Sequence, residues 1–169
     1  MRAADADVWI AHDGDADRAV FVDERGEFVA GEASLAALAA AELDAGDTAV
    51  AAVNVSQRLV DVCDDAGATL ELTPIGATNI ITRIRDLHAA GERVPIAGEG
   101  NGGIFYPEYR LVRDGAYVGA KFLELVAEQP DPAVVAPYTD YENVRINLAY
   151  DSEAELDAML DAARDFAES

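Results

Sequence analysis

Three aspartates and an arginine form the group of residues in this chain with the clearest chemical potential. Asp13, Asp15 and Asp17 alternate in the stretch HDGDADR, and Arg18 follows directly. Side chains two residues apart in an extended loop point to the same side, so three carboxylates can converge on one hard cation, with magnesium as the first candidate. A guanidinium beside such a site usually binds a phosphate, because its nitrogens can donate two parallel hydrogen bonds. The spacing therefore predicts a magnesium site built for a phosphoryl group.

Two other interpretations of this acidic loop compete with the first. One is a solvated acidic turn without a ligand. The other is a calcium loop of the helix-loop-helix kind, since counting from Asp13 places acids at the third, fifth and twelfth positions. The calcium interpretation fails because Arg18 stands where the turn needs glycine, and because the flanks have the pattern of strands. Magnesium and the solvated turn remain open on these residues alone.

A glycine-rich stretch, GEGNGG, surrounds the single carboxylate of Glu99 with four glycines. Glycines let a ligand approach the backbone closely, so this loop is a candidate binding site, and a plain turn between strands is the alternative. We expect Glu99 to lie on a surface loop. His12 and His88 are interpreted as structural or supporting polar residues.

Strands and helices alternate along the chain, which favours an α/β fold. The fold class predicted is α/β, with a three-layer mixed sheet flanked by helices and partial neighbouring domains at both ends. Glycines and capping residues mark the helix ends, with Ser34 as one predicted N-cap and Asp151 or Ser152 as another. The predicted strands are residues 7–11, 18–32 with a turn at 24–26, 48–55, 68–73, 93–99 and 143–150. The predicted helices are residues 34–46, 56–67, 78–91, 116–128 and 151–169.

Prolines near residue 130 divide the chain, and the segment after them has one strand and one helix, too little to close a core. Three prolines mark this linker: Pro130, Pro132 and Pro137. We therefore predict three segments. Residues 1–30 end one domain and carry the acidic loop, residues 31–132 form a second domain with the glycine-rich loop, and residues 133–169 are a linker and the start of another domain.

The strongly acidic composition limits the kinds of partner that this chain is expected to bind. The net charge is −21, from 33 acidic and 12 basic residues, with Lys121 as the single lysine. Repulsion of phosphates makes a nucleic-acid or anionic-membrane partner unexpected. An acidic, lysine-poor surface favours the hypothesis of a halophilic source.

The single cysteine, Cys63, excludes an internal disulfide and is expected in the core. One cysteine also fits the reducing cytoplasm. Neither a membrane span nor a signal peptide is expected.

The stretch IAHDGDADR resembles the metal-binding loop of the α-D-phosphohexomutases, which include phosphoglucomutase, phosphomannomutase and phosphoglucosamine mutase. LTPIGATNI and GEGNGG follow in the order and at about the distances that the family shows. The resemblance implies an isomerase of carbohydrate metabolism, an intramolecular phosphotransferase that moves phosphate between the sugar 1 and 6 positions through a phosphoserine and a bisphosphate intermediate. It implies that Asp13, Asp15 and Asp17 bind Mg²⁺ against the phosphoserine, and that Arg18 has a catalytic role at the phosphate.

The same resemblance implies three substrate-binding residues. Glu99 would accept hydrogen bonds from adjacent sugar hydroxyls. Asn101 stands where many members have serine, and Pro74 stands where many bacterial members have a catalytic-site lysine, so the chain resembles archaeal members. Gly76 is the central glycine of the LTPIGATNI loop. Sugar preference and the general acid or base stay open.

The family's phosphorylated serine loop and its phosphate-gripping loop have no counterpart in this chain. We therefore expect an internal fragment of a phosphohexomutase, inactive alone, whose partners are a phosphorylated hexose and the remaining mutase domains. By this resemblance residues 1–30 end the family's second domain, residues 31–132 are its third, and residues 133–169 are a linker and the start of its fourth. Two alternatives are a non-catalytic α/β module that binds Mg²⁺ or a sugar phosphate, and a halophilic phosphatase with an aspartate nucleophile. The phosphatase needs a catalytic lysine, and the single candidate, Lys121, lies in a predicted helix.

Overall fold

A computed structural model of the chain describes residues 6–128, 134–138, 140–141 and 146–167. The strands in these residues are β1 (Trp9–His12), β2 (Ala19–Val22), β3 (Phe28–Val29), β4 (Thr48–Ala52), β5 (Thr69–Thr73), β6 (Ala97–Gly98), β7 (Ile104–Tyr106) and β8 (Arg110–Arg113). The helices are α1 (Gly31–Glu42), α2 (Gln57–Ala66), α3 (Ala77–Ala89), α4 (Gly115–Glu128) and α5 (Glu153–Ala167), with a short 3-10 helix at Ala136–Tyr138.

A mixed five-stranded sheet forms the centre of the molecule, in the order β5-β4-β6-β7-β8. β5, β4 and β6 are parallel, whereas β7 and β8 are antiparallel to their neighbours. Every residue of β4 is buried, because helices cover both faces of the sheet, and this explains its unbroken apolar sequence. The predicted α/β class with a mixed sheet flanked by helices is confirmed.

The two faces of the sheet pack against different helices. On one face, Val50 of β4 and Phe105 of β7 belong to a core cluster with Ile80 and Ile84 of α3. On the other face, a larger cluster joins the sheet to α1, α2 and α4. α1 is buried along most of its length, which explains why it is apolar all round instead of amphipathic.

A small antiparallel sheet, β1-β2-β3, packs onto the same core. Phe21 of β2 is fully buried and stacks on Phe122 of α4, with 3.9 Å between ring centroids. The predicted turn at residues 24–26 connects β2 to β3, where the Asp23 carboxylate accepts hydrogen bonds from the amides of Arg25 (3.0 Å) and Glu27 (2.8 Å). The division of the chain at residues 30 and 132 stays a prediction.

The prediction of Ser34 as a helix N-cap is wrong. α1 begins at Gly31, and the Ser34 hydroxyl is fully buried, donating to the Gly31 carbonyl 3.0 Å away. Gly31 allows this early start because a Cβ there would lie 2.6 Å from the Gly100 carbonyl oxygen. At α5 the predicted cap is confirmed: the Glu155 amide donates to Ser152 Oγ at 3.3 Å.

The predicted strand at residues 143–150 is not found in its described part. Residues 143–145 lie outside the described residues, and residues 146–150 have no strand partner, so their backbone groups have no sheet hydrogen bonds. Pro130 and Pro132 also lie outside the described residues, and Pro137 is in the 3-10 helix. Among the described helices, none is long and apolar enough to cross a membrane.

Candidate functional site

The acidic loop connects β1 to β2 and brings three carboxylates together. We call residues 13–18 the metal loop. Asp13, Asp15 and Asp17 each place one carboxylate oxygen so that the three oxygens lie within 4.8 Å of one another. A tight turn makes this possible, because Ala16 has φ 55° and its amide donates to the Asp13 carbonyl at 3.1 Å. Three hard oxygen ligands at this spacing fit a divalent cation such as Mg²⁺.

Arg18 pairs with the carboxylates of its own loop. Its Nε donates to Asp13 Oδ2, its amide nitrogen lies 3.3 Å from Asp13 Oδ1, and Nε lies 3.5 Å from an Asp17 oxygen. Partial burial alone would raise the pKa of the Asp13 carboxyl, but the hydrogen bonds and charge of Arg18 outweigh it, so that pKa lies below its ordinary value. The two side chains therefore help to hold the loop in shape.

His12 and Gly115 support the metal loop from outside. The His12 Nδ1 atom donates to the Arg18 carbonyl at 2.9 Å, and the amide of Gly115 donates to the Ala16 carbonyl at 3.0 Å. Gly115 begins α4, and a Cβ there would lie 2.6 Å from the Arg18 carbonyl oxygen. The supporting role predicted for His12 agrees with this contact. Sequence reasoning missed Gly115.

The glycine-rich loop between β6 and β7, residues 98–103, is called the sugar loop below, after the role that the resemblance implies. Its ends are joined where the Glu99 amide donates to the Gly103 carbonyl at 3.0 Å. Gly102 has φ 88°, and a Cβ there would collide with the Ala19 carbonyl oxygen. Asn101 Oδ1 accepts from the Gly103 amide at 3.0 Å, so this predicted ligand-binding side chain also stabilises its own turn.

Glu99 is more enclosed than expected for a surface loop. It is 7% exposed, because it is paired with Arg113, whose Nη1 donates to Glu99 Oε2 at 2.7 Å. The same guanidinium donates through Nη2 to Asp17 Oδ2. Arg113 thus joins the metal loop to the sugar loop. No sequence signal pointed to it, since it lies 96 residues from Asp17.

A cleft of about 640 Å³ opens beside the sugar loop and is lined by Glu99 and Asn101, together with Glu32 and Arg58. Arg58 is buried and donates to Glu32 Oε2 at 3.0 Å. The volume is in the range of small-molecule sites. Gly76 does not line this cleft. It follows β5 at the carboxyl edge of the parallel strands, two strands away from β6.

Arg58 also binds two residues that follow α4 in the chain, Tyr138 and Tyr141. Its guanidinium donates to the carbonyls of Tyr138 (2.5 Å) and Tyr141 (2.9 Å), and the Tyr141 hydroxyl donates to Asp61 at 2.6 Å. These contacts hold Tyr138 and Tyr141 against α2.

The remaining candidate residues lie elsewhere. Cys63 is buried, as predicted, and burial, with a smaller effect of Asp64, raises the pKa of its thiol to about 11, which is unsuitable for a nucleophile. His88 is exposed in the last turn of α3. The Lys121 ammonium pairs with Glu42 and Glu124, each at 2.8 Å, and so joins α1 to α4. The phosphatase alternative therefore has no lysine at the metal loop within the described residues.

Comparison with known proteins identifies the family. A family model described as phosphoglucomutase/phosphomannomutase, alpha/beta/alpha domain III, matches residues 30–139. The phosphoglucomutase/phosphomannomutase of Thermococcus kodakarensis is 36% identical over 130 residues, covering 76% of this chain and 27% of that protein. The probable phosphoglucosamine mutase of Methanococcoides burtonii is 32% identical over 158 residues, covering 91% of this chain and 34% of that protein.

A solved structure shows the same fold. The phosphoglucomutase/phosphomannomutase family protein of Burkholderia thailandensis superimposes with a TM-score of 0.73 and 26% identity, covering 82% of this chain and 30% of that one. The chain spans 27% to 39% of the length of the curated relatives it matches. Because the family model covers most of the chain and the fold agrees, the chain belongs to the phosphoglucomutase/phosphomannomutase family.

Proposed function

We propose that this chain is part of a phosphohexomutase that interconverts hexose or hexosamine 1-phosphate and 6-phosphate through a phosphoserine and a bisphosphate intermediate. The chain would carry the magnesium and sugar loops, while the serine lies in another part of the protein. Support comes from family membership and from relatives whose names describe mutases of this kind. The limited share of those relatives that the chain spans agrees with further domains elsewhere.

The metal loop would hold Mg²⁺ through Asp13, Asp15 and Asp17. When bound, the cation would neutralise negative charge on the phosphoryl oxygens during transfer. Arg18 is well placed to add to this, because its side chain is 43% exposed next to the carboxylates and carries a permanent positive charge. It would move from Asp13 toward a phosphate oxygen when a phosphorylated group reaches the loop.

Glu99 would orient the sugar. Its Oε2 is held by Arg113, whereas its Oε1 accepts no hydrogen bond within the described part of the chain. That second oxygen would accept a hydrogen bond from a sugar hydroxyl, with Asn101 at the rim of the same cleft. Gly76, at the same edge of the sheet, would contribute only if the sugar extends toward β5.

The single observation that carries this proposal is the meeting of the two loops. Asp17 and Glu99 lie in loops of two different sheets, and both pair with one guanidinium, that of Arg113. A phosphate near the metal loop and a sugar on Glu99 would therefore belong to the same ligand, as a sugar phosphate requires.

Enzyme assays test the proposal. Residues 1–169 alone should not convert a hexose 1-phosphate into the 6-phosphate, and a longer polypeptide that includes the family's other domains should. In the active polypeptide, Glu99→Gln should lower kcat/KM by about tenfold to 150-fold, since a hydrogen bond to a charged group contributes about 1.5–3 kcal/mol.

Glu108→Gln is the matched control, because Glu108 is also bonded to an arginine, Arg93 at 2.9 Å, but is exposed and does not line the cleft. Equal kinetics for the two variants would contradict the assignment of Glu99. Turnover by residues 1–169 alone would show that the nucleophile does not lie elsewhere. Ligand binding without turnover in the longest polypeptide would favour the non-catalytic module.

A further inference from the structure

We propose, building on the proposed function, that Arg113 is a positioning residue that couples the metal loop to the sugar loop. Its two terminal nitrogens are used on two different carboxylates. Nη1 donates to Glu99 Oε2 at 2.7 Å and Nη2 donates to Asp17 Oδ2. Metal occupancy at one loop would then change the position of the Glu99 carboxylate in the other.

The surroundings of Arg113 are built to keep this bridge. Its side chain is 21% exposed, that of Glu99 9% and that of Asp17 24%, so the three charges are shielded from water more than an ordinary surface pair. Arg113 ends β8 and is paired in the sheet with Phe105, which fixes its backbone. Gly103 leaves room for the side chain, since a Cβ there would lie 2.8 Å from Arg113 Cδ.

The two loops are expected to be coupled because Asp17 and Glu99 share the positive charge of Arg113. A carboxylate that coordinates a divalent cation has less negative charge left for a second partner, so metal coordination at Asp17 weakens its bond to Arg113. The guanidinium then pairs more strongly with Glu99. By thermodynamic linkage, a ligand that fixes Glu99 would in turn change the affinity of the metal loop by the same factor.

The bridge also competes with the cation. Arg113 occupies an Asp17 oxygen and adds a positive charge near the place where a metal would bind. Its removal should therefore tighten Mg²⁺ binding by at least about tenfold, as expected for loss of one positive charge roughly 6 Å from a divalent cation even when water screens the pair. A purely structural arginine would have the opposite effect, because its loss would loosen the loop and weaken binding.

The test is a titration of the chain with MgCl₂ at constant ionic strength, followed by amide NMR. In the wild type, amides of the metal loop should shift, and those of the sugar loop should shift with the same apparent affinity. In Arg113→Gln, the sugar-loop response should fall to less than about a third while Mg²⁺ binds more tightly. Arg113→Lys keeps the charge but not the two-pronged bridge, so it should restore the affinity and not the sugar-loop response.

Arg83→Gln is the control, because it removes one guanidinium from a pair with Glu71 (3.0 Å) remote from both loops. This variant should change neither the affinity for Mg²⁺ nor the shifts of the sugar-loop amides. An undiminished sugar-loop response in Arg113→Gln, or weaker Mg²⁺ binding in that variant, would overturn the coupling while leaving the metal role intact. Absence of metal-loop shifts in the wild type would instead overturn the metal role, and the coupling with it.

Discussion

The metal loop and the sugar loop lie side by side and share Arg113, but the other contacts that hold them in shape differ. In the metal loop these contacts are mainly charged pairs of Arg18 with Asp13 and Asp17, and the Gly115 amide adds a backbone hydrogen bond. Close backbone contacts hold the sugar loop, where Gly102 lies against the Ala19 carbonyl. The proposed site would therefore combine an exposed loop held mainly by charged pairs with a loop held mainly by close backbone packing.

Glycines in the two loops give the strongest test of this difference. Gly102→Ala should destabilise the fold by about 2–4 kcal/mol, because alanine at φ 88° is strained and its Cβ would collide with backbone. Gly14→Ala in the metal loop should change stability by less than about 0.5 kcal/mol, since a Cβ there meets nothing within 4 Å. Urea denaturation at equal salt measures both. Equal losses would contradict the division into a charge-held and a backbone-held loop.

Acid should weaken the metal loop, with a smaller effect on stability than the Gly102 substitution. Arg18 holds the pKa of Asp13 below its ordinary value near 3.8, against the opposite effect of burial. A lowered folded-state pKa contributes stability that is present above about pH 4 and is lost as pH falls through the folded value. Asp13→Asn should therefore flatten the decline in stability below pH 4.

The matched variant for this experiment is Asp86→Asn, which removes an exposed aspartate from α3. It should leave the acid decline unchanged. The readout is the urea midpoint at pH 7 and at pH 3. An equal fall in the urea midpoint from pH 7 to pH 3 in the wild type and in Asp13→Asn would show that the Arg18 pair does not hold the loop.

The clustering of the three aspartates was predictable from the sequence because their side chains are neighbours. Asp13, Asp15 and Asp17 lie within five positions, so their spacing alone brings them together in one turn. The central sheet was predictable for a similar reason, since apolar runs and glycine-ended helices are local signals. The burial of Cys63 also followed from its place on the apolar side of α2.

The features that the sequence did not predict depend mostly on contacts between residues far apart in the chain. Arg113 meets Asp17 across 96 residues, and no local pattern encodes such a contact. Ser34 has the right chemistry for a cap, but tertiary packing of Gly31 against the sugar loop begins the helix one turn earlier. β6 is shorter than the predicted strand at residues 93–99, in part because Pro95 has no amide hydrogen to donate.

If the three aspartates of the metal loop bind Mg²⁺, calorimetric titration should distinguish the wild-type chain from Asp15→Asn. Asp15 is exposed and makes no hydrogen bond within the described residues, so its substitution removes a ligand without breaking the pairs of Arg18 and Arg113. We expect weak Mg²⁺ binding by the wild type, retained by Asp86→Asn and lost from Asp15→Asn. Identical titrations for the wild type and Asp15→Asn would contradict the account.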